Sequence, residues 1–240
     1  MKIIDTTTYF EEKLMMNLRF NILNSQVDHF IVCEARFTHS GKSKDINFKK
    51  TDYPNFANKI THLIIDKEPN DIIKKEKLEP QELRFNSVAR IRAQRDYIME
   101  ALNDYSPDDY LIYSDNDEIP NLEFFDFNKN KDKIILFKQR LFYYKFNLLM
   151  PNVDWYGSKA CKIKDLKSID ILRAIKNKKY NIFRFDTFFS NLKHKSVNII
   201  DNGGWHFSNL KNIKELERKY LNDENYAEYE ALGHSIVKIK

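Results

Sequence analysis

Glycine, cysteine and long apolar runs are scarce in this chain of 240 residues. Only five glycines occur, and neither G-x-G-x-x-G nor G-x-x-x-x-G-K-[ST] is present, which excludes the two common glycine-rich phosphate motifs. No run of about 18 apolar residues occurs, so a membrane-spanning helix is excluded. Charged residues appear as early as Lys2 and Asp5, so we do not expect a secretory signal.

The two cysteines, Cys33 and Cys161, are too few for a disulfide framework or a cysteine zinc site. Both lie in apolar, strand-like runs, so we expect buried, reduced thiols. Such thiols are typical of a reducing compartment, and together with the absence of a predicted anchor they favour a cytoplasmic protein.

The composition is that of a globular protein, with 42% apolar and 31% charged residues. The net charge is +5, but residues 159–195 contain eleven Lys or Arg against three Asp. A basic segment of this kind suits an anionic partner, such as a nucleotide diphosphate, an acidic lipid surface or nucleic acid. A solvated surface explains the same pattern.

Alternating strand and helix patterns predict an α/β fold, with a mostly parallel central sheet flanked by helices. No linker or repeat interrupts the chain, so we expect a single domain over residues 1–240. The predicted strands are 3–4, 29–34, 60–65, 110–113, 133–138 and 141–146. The predicted helices are 10–24, 83–102, 164–176, 209–220 and 224–238.

A cluster of acidic residues, Asp115-Asn116-Asp117-Glu118, directly follows the predicted strand 110–113. Three carboxylates in four positions repel one another unless a cation offsets their charge. In an extended segment Asp115 and Asp117 face the same side and address one Mn²⁺ or Mg²⁺ ion, while Glu118 points elsewhere. A turn that caps a following helix is the alternative.

A second group of residues surrounds two adjacent glycines, Gly203-Gly204-Trp205-His206. The glycines permit close approach of the backbone or a positive φ. The imidazole of His206 is a candidate metal ligand, although a histidine packed in an aromatic turn fits the pattern as well.

Further candidates lie on a predicted helix and at the ends of predicted strands. Arg92, Arg95 and Asp96 share one helix face, and guanidinium groups bind phosphate well. An exposed face with internal salt bridges is the alternative. Glu34 ends a predicted strand, and the carboxyl ends of parallel strands share one edge of a sheet, where ligands bind.

Several of these segments resemble glycosyltransferase family 17, the family of the β-1,4-mannosyl-glycoprotein β-1,4-N-acetylglucosaminyltransferase. The similar segments occur in the family's order and span about residues 5–210. The region 136–195 is divergent, and the family's closing segment has only a loose counterpart in Lys219 to Glu230. They are 18–21, 27–35, 37–42, 93–96, 114–120 (S-D-N-D-E-I-P) and 203–208 (G-G-W-H-F-S).

The resemblance implies a GT-A-like fold, with a nucleotide-binding half at about 1–120 and an acceptor-binding half at about 121–240. It implies inverting transfer of a sugar, with UDP-GlcNAc as the family's known donor, to a glycan or glycolipid acceptor. Mn²⁺ or Mg²⁺ would lie on Asp115 and Asp117, with His206 completing its shell or touching the diphosphate. By analogy, Glu34 would hold the nucleoside, and Arg92, Arg95, Asp96 and Asp115 would line the donor site. We expect no nucleic-acid partner, and peripheral membrane contact through 159–195 is one expectation.

Inversion requires one carboxylate base near the acceptor hydroxyl. The candidates are Asp201, Glu118, Asp154 and Asp186, and Asp201 is favoured because it precedes the Gly-Gly-Trp-His turn. Two other functions remain open on the residues alone. One is a polyanion-binding module that uses residues 159–195. The other is a metal-dependent phosphoesterase that uses Asp115 and Asp117.

Overall fold

The structure is a computed structural model, and it describes residues 1–181 and 183–231. The strands are β1 Ile3–Tyr9, β2 His29–Ala35, β3 Ile60–Ile65, β4 Tyr110–Ser114, β5 Glu118–Pro120, β6 Ile134–Phe137, β7 Gln139–Tyr143, β8 Leu149–Trp155, β9 Lys159–Lys162, β10 Val197–Ile200 and β11 Gly204–Ser208. The α-helices are α1 Lys13–Leu23, α2 Pro80–Asp96, α3 Ile169–Ala174, α4 Ile213–Tyr220 and α5 Tyr226–Ala231.

The main sheet has seven strands in the order β10-β6-β9-β4-β1-β2-β3. The four strands from β3 to β4 are mutually parallel, and β6 and β10 are parallel to each other. Strand β9 lies antiparallel between β4 and β6, so six of the seven strands run in one direction. The predicted α/β fold with a mostly parallel central sheet is therefore confirmed.

Both faces of the main sheet are buried. Side chains alternate along each strand, so successive residues pack on opposite faces of the sheet. On β2, Phe30 and Val32 pack on the face covered by α1, where Phe20 is fully buried. Ile31 and Cys33 point to the opposite face, which is covered by α3 and by the 3₁₀ turn after α2. Strands buried on both faces read as continuous apolar runs, which is why they were recognisable in the sequence.

A smaller sheet of four strands, β5-β11-β7-β8, extends from the end of β4. Strand β11 pairs antiparallel with β5 and parallel with β7. Gly204 begins β11 with φ +125°, and a Cβ at this position would lie 2.1 Å from the carbonyl oxygen of Ile119. The predicted close approach of the backbone at this glycine is confirmed. A larger residue at position 204 would collide with β5 and prevent the pairing of β11 with β5.

A buried ion pair ties α1 to both sheets. Arg19 on α1 donates two hydrogen bonds of 2.6 Å to the carboxylate of Asp5 on β1. A third bond of 2.6 Å joins its Nη1 to the carbonyl oxygen of Glu118 on β5. Neither side chain of the pair is exposed to solvent by more than 1%. Arg19 therefore fixes the start of β5 relative to β1.

The predicted helices are correct in position but differ in detail. In the predicted helix 10–24, Phe10, Leu14, Leu18 and Ile22 recur every four residues, which predicts that they form the buried face. Leu14 is instead 58% exposed, whereas Met15, Met16 and Leu23 are buried. The predicted helix 164–176 is a 3₁₀ turn, Ile163–Asp165, followed by the short helix α3. The predicted helix 224–238 corresponds to α5, and its residues 232–238 lie outside the described residues.

Five strands, β5 and β8 to β11, were not predicted. Strands β5, β9, β10 and β11 pair with strands that are distant in the sequence, which no local pattern of hydrophobicity reveals. Strand β8 pairs with the neighbouring β7, but it is largely exposed and has no buried apolar run. The two cysteines are free and buried, as predicted. No helix among residues 1–181 and 183–231 has the length and apolar character to span a bilayer.

Candidate active site

A cavity of about 430 Å³ opens at the carboxyl edge of the main sheet. Its wall is built from the end of β1, the loop after β2, the last turn of α2 and the turn between β4 and β5. Ligands of parallel α/β sheets bind at this edge, and the volume is in the range of small-molecule sites.

The acidic segment after β4 is a turn, not the extended segment that the sequence predicted. The backbone N–H of Glu118 donates to the carbonyl oxygen of Asp115 at 3.0 Å, which closes the turn. The side chains of Asp115 and Asp117 consequently have different partners, and Glu118 lines the same cavity rather than pointing elsewhere. The prediction that Asp115 and Asp117 share one side of an extended strand is wrong in this respect.

Two arginines and a tyrosine hold the carboxylate of Asp115. Nη2 of Arg173 lies 2.9 Å from Oδ2, and Nη2 of Arg95 lies 3.3 Å from Oδ1. The hydroxyl of Tyr113 donates to Oδ1 at 2.7 Å. Burial would raise the pKa of Asp115, but the charges of Arg173 and Arg95 hold that pKa well below its usual range. Asp115 is therefore a permanent anion between two guanidinium groups.

Glu118 is buried in the wall of the cavity and accepts hydrogen bonds at both oxygens. Trp155 donates to Oε1 at 2.7 Å and Arg173 donates to the same oxygen at 3.0 Å, while the backbone N–H of Asp115 donates to Oε2 at 3.0 Å. Gly157 makes room for this carboxylate, since a Cβ there would lie 2.0 Å from Oε1. Burial raises the pKa of Glu118, and the nearby charge of Asp115 adds to the effect although Arg173 opposes it.

Asp117 faces the cavity beside His206. Oδ2 of Asp117 lies 3.5 Å from Nε2 of His206, and the side chain of Asp117 is 19% exposed. The His206 ring packs against Trp155 with centroids 4.5 Å apart, and its Nδ1 is buried with no hydrogen-bond partner among the described residues. Burial would lower the pKa of His206, but Asp117 raises it above the ordinary value.

Helix α3 positions Arg173, and three contacts fix this short helix. Ser168 caps its N-terminus by accepting from the N–H of Ile171 at 3.2 Å, and Asp96 accepts from the N–H of Asp170 at 2.9 Å. At the other end, Nζ of Lys159 donates to the carbonyl oxygens of Arg173 at 2.7 Å and Ile175 at 2.5 Å. Burial lowers the pKa of Lys159 to about 7, with the charge of Arg173 contributing.

The structure brings five of the predicted site residues to the cavity and leaves four outside it. Those that line the cavity are Arg95, Asp115, Asp117, Glu118 and His206, and those outside are Glu34, Arg92, Asp96 and Asp201. Arg92 pairs with Asp71 at 2.7 Å in an exposed position, and Asp96 supports α3. Glu34 is fully buried, where it pairs with Lys44 and accepts from the N–H groups of Asn47 and Phe48, both at 2.9 Å.

The candidate bases other than Glu118 are exposed acids away from the cavity. Asp201 is 82% exposed and lies 3.8 Å from Nζ of Lys138, which also pairs with Asp154 at 3.0 Å. Asp186 pairs with Arg184 at 2.8 Å and with Lys193 at 2.7 Å. The sequence argument for Asp201 rested on its closeness along the chain to Gly203, and the turn directs its side chain away from the cavity.

Three residues of the cavity wall, Arg173, Trp155 and His39, were not singled out in the sequence. The first two come from the divergent region 136–195. Arg173 is one of eleven basic residues in 159–195, and no pattern in the sequence distinguished Trp155. His39 lies in the loop after β2, and burial together with the charge of Arg95 lowers its pKa to about 4, so its ring is neutral at pH 7.

The residues at Asp117 fit a divalent metal ion better than those at Asp115. Two guanidinium groups, those of Arg95 and Arg173, already neutralise the carboxylate of Asp115 and would repel a cation there. Within the described part of the chain, no group of three or more metal-ligating side chains is assembled. Asp117 with His206 suits an ion such as Mn²⁺ or Mg²⁺, which takes most of its ligands from substrate phosphates and water.

Comparison with protein families gives a match over most of the chain. The family model of glycosyltransferase family 17 matches residues 1–227. No curated protein is significantly similar to the chain.

Two solved structures are similar over most of their length. One is a glycosyltransferase involved in the glycosylation of the major capsid of PBCV-1, with 10% identity, coverage of 84% of this chain and 82% of that chain, and a TM-score of 0.33. The other is A197 from STIV, with 12% identity, coverage of 84% and 83%, and a TM-score of 0.29. At these TM-scores neither likeness carries an argument about this chain.

Proposed function

We propose that this chain, which belongs to glycosyltransferase family 17, moves a sugar from a UDP-sugar to a hydroxyl of a glycan or glycolipid acceptor with inversion. Glycosyl transfer in general follows from the family. The finer proposal is that the donor is UDP-GlcNAc, that the reaction depends on Mn²⁺ or Mg²⁺, and that the fold is of the GT-A type. A parallel sheet with one antiparallel strand and an acidic turn after β4 supports this fold type.

One observation carries the proposal: Asp117, Arg95 and Arg173 meet at a single cavity on the carboxyl edge of the sheet. Arginine forks suit the oxygens of a diphosphate, and a pair of them stabilises the negative charge that builds on the leaving group. Asp115 holds both guanidinium groups in place before the donor binds, which reduces the cost of ordering them.

A metal ion would be held by Asp117 and His206 together with the donor diphosphate. When bound, it would supply Lewis-acid stabilisation of the leaving diphosphate. The chain's own residues would do the rest, with Arg95 and Arg173 orienting the phosphates and Trp155 closing one wall of the cavity. Glu34 does not line the cavity, so its proposed contribution to nucleoside binding is indirect and goes through the loop 44–48 that it orders.

For the proton of the acceptor hydroxyl we propose Glu118, the one candidate base that lines the cavity. The acceptor oxygen attacks the anomeric carbon, the bond from that carbon to the diphosphate breaks, and the hydroxyl proton passes to the carboxylate. A raised pKa suits a group that accepts a proton near neutral pH. Glu118→Gln should keep donor binding and lose transfer, and normal turnover in that variant would discard the assignment.

The function is tested by incubating the protein with UDP-GlcNAc and Mn²⁺ and measuring slow UDP release without an acceptor. Asp117→Asn should lose this release, whereas the matched control Asp66→Asn should keep it, because Asp66 is an exposed strand-end acid paired with Arg36 outside the cavity. Release by Asp117→Asn at the rate of the unaltered protein would refute the site. Release of inorganic phosphate instead of UDP would indicate a phosphoesterase.

A further inference from the structure

The segment between α3 and β10 exposes four phenylalanines within seven residues. Phe183, Phe185, Phe188 and Phe189 are between 72 and 94% exposed. Single exposed apolar residues are normal on a protein surface, but a group of large aromatic side chains in one segment marks an interaction site. None of the four phenylalanines lines the cavity described above.

The same segment carries a strong excess of positive charge. Residues 176–195 contain six Lys or Arg against one acid, Asp186, so their formal charge is 6 − 1 = +5. Lys176, Lys178 and Lys179 are exposed and precede the phenylalanines in the chain. After them, Nζ of Lys195 lies 4.0 Å from the centre of the Phe188 ring. Exposed aromatic and cationic side chains therefore occur together in this segment.

The segment is a closed loop rather than an extended tail. Backbone hydrogen bonds from Lys176 to Leu192 at 2.9 Å and from Tyr180 to His194 at 3.2 Å join its two arms. Inside the loop, Asp186 pairs with Arg184 and Lys193, and Thr187 is buried. These contacts use the only acid of the loop to fold it, which leaves the phenylalanines directed to solvent.

We propose that the described residues of this loop, 176–181 and 183–195, form a docking surface for an anionic lipid bilayer. Aromatic side chains are stabilised at the level of the lipid headgroups, and lysines beside them are attracted by acidic phospholipids. Charge complementarity favours this occupant, because the loop offers both an apolar group to insert and a net positive charge. Double-stranded nucleic acid would use the charge alone, whereas a single strand would also stack its bases on the phenylalanines. A protein partner would use the phenylalanines without a need for acidic lipid.

The proposal does not depend on the donor or on the metal. Helix α3, which carries Arg173 of the cavity, ends at Ala174 and leads directly into the loop. Docking of the loop on a bilayer would thus hold the cavity near the membrane surface. Failure of lipid binding would leave the proposed glycosyl transfer untouched, and the two are tested by different measurements.

The test is co-sedimentation of the full chain with vesicles of phosphatidylcholine, with or without phosphatidylglycerol. We expect binding to the mixed vesicles and little to pure phosphatidylcholine. Phe188→Ser/Phe189→Ser and Lys178→Ser/Lys179→Ser should each weaken binding by about tenfold or more, since one removes the apolar contribution and the other the charge. The matched control is Phe124→Ser, which alters a phenylalanine of 87% exposure beside Glu123 and Asp126 and should leave binding unchanged.

Each alternative gives a distinct result. Absence of binding to the mixed vesicles, or equal binding by the Phe188→Ser/Phe189→Ser variant, would overturn the proposal. Affinity for single-stranded RNA equal to or higher than that for acidic vesicles would also overturn it, and would indicate a nucleic-acid surface whether or not the phenylalanine changes weaken RNA binding. Thermal unfolding of each variant checks that the fold is retained, which is expected because the altered side chains are exposed.

Discussion

Replacement of Arg19 by methionine tests how the site is attached to the main sheet. Arg19 and Asp5 are both buried, and all three hydrogen bonds from the guanidinium group to Asp5 and to the carbonyl oxygen of Glu118 are 2.6 Å long. The variant leaves Asp5 as a buried carboxylate without its partner, which costs about 3 to 5 kcal/mol. Because domains have unfolding free energies of about 5 to 15 kcal/mol, this is a large fraction of the total.

The assay is equilibrium unfolding in urea, with the midpoint and the slope measured for each variant. The double variant Arg19→Met/Asp5→Leu removes both charges and should recover most of the lost free energy. Arg36→Met is the matched control, because Arg36 and Asp66 form an exposed pair at 2.7 Å whose loss should cost less than about 1 kcal/mol. A cost below about 1 kcal/mol for Arg19→Met, or no recovery in the double variant, would refute the reasoning.

Three further changes probe the cavity and its frame. Folding lowers the pKa of His39 from 6.5 to about 4. Between pH 4 and pH 6.5 the unfolded chain therefore binds a proton at His39 that the folded protein does not bind. Relative to His39→Gln, the protein should lose up to about 3 kcal/mol of unfolding free energy as the pH falls from 6.5 to 4, measured by urea titration. A difference in unfolding free energy between the two proteins that does not change with pH would contradict this. Gly204→Ala should lower the unfolding free energy by about 2 kcal/mol or more, since its Cβ would meet the carbonyl oxygen of Ile119 at 2.1 Å; an unchanged midpoint would be the opposite result. Arg173→Met should weaken binding of UDP by about tenfold or more, measured by calorimetry, and equal affinity would remove Arg173 from the diphosphate site.

The parts of the fold that local sequence determines could be predicted. Strands β2 and β4 are buried on both faces and read as apolar runs, and the acidic residues that follow β4 lie at the predicted edge of the sheet, although their turn conformation was not predicted. The adjacent glycines 203 and 204 indicated a close approach of the backbone or a positive φ. Gly204 has a φ of +125°, which few other residues tolerate.

The partners of the site residues could not be predicted, because they come from distant parts of the chain. Arg173 is 58 residues from Asp115, and nothing local distinguishes it from the other basic residues of 159–195. The same limit applies to Asp201, whose closeness along the chain to His206 says nothing about the direction of its side chain. Leu14 was misassigned because α1 has apolar residues on more than one face, and tertiary packing selects Met15 and Phe20 for burial.

The most direct test of the proposed donor site is calorimetric titration of UDP with Mn²⁺ present. The unaltered protein and Asp66→Asn should bind with similar affinity, and omission of the metal should weaken both. Asp117→Asn should bind at least about tenfold more weakly, which corresponds to loss of one charged ligand. Equal affinity of Asp117→Asn and the unaltered protein would contradict the claim that the turn after β4 holds the donor diphosphate.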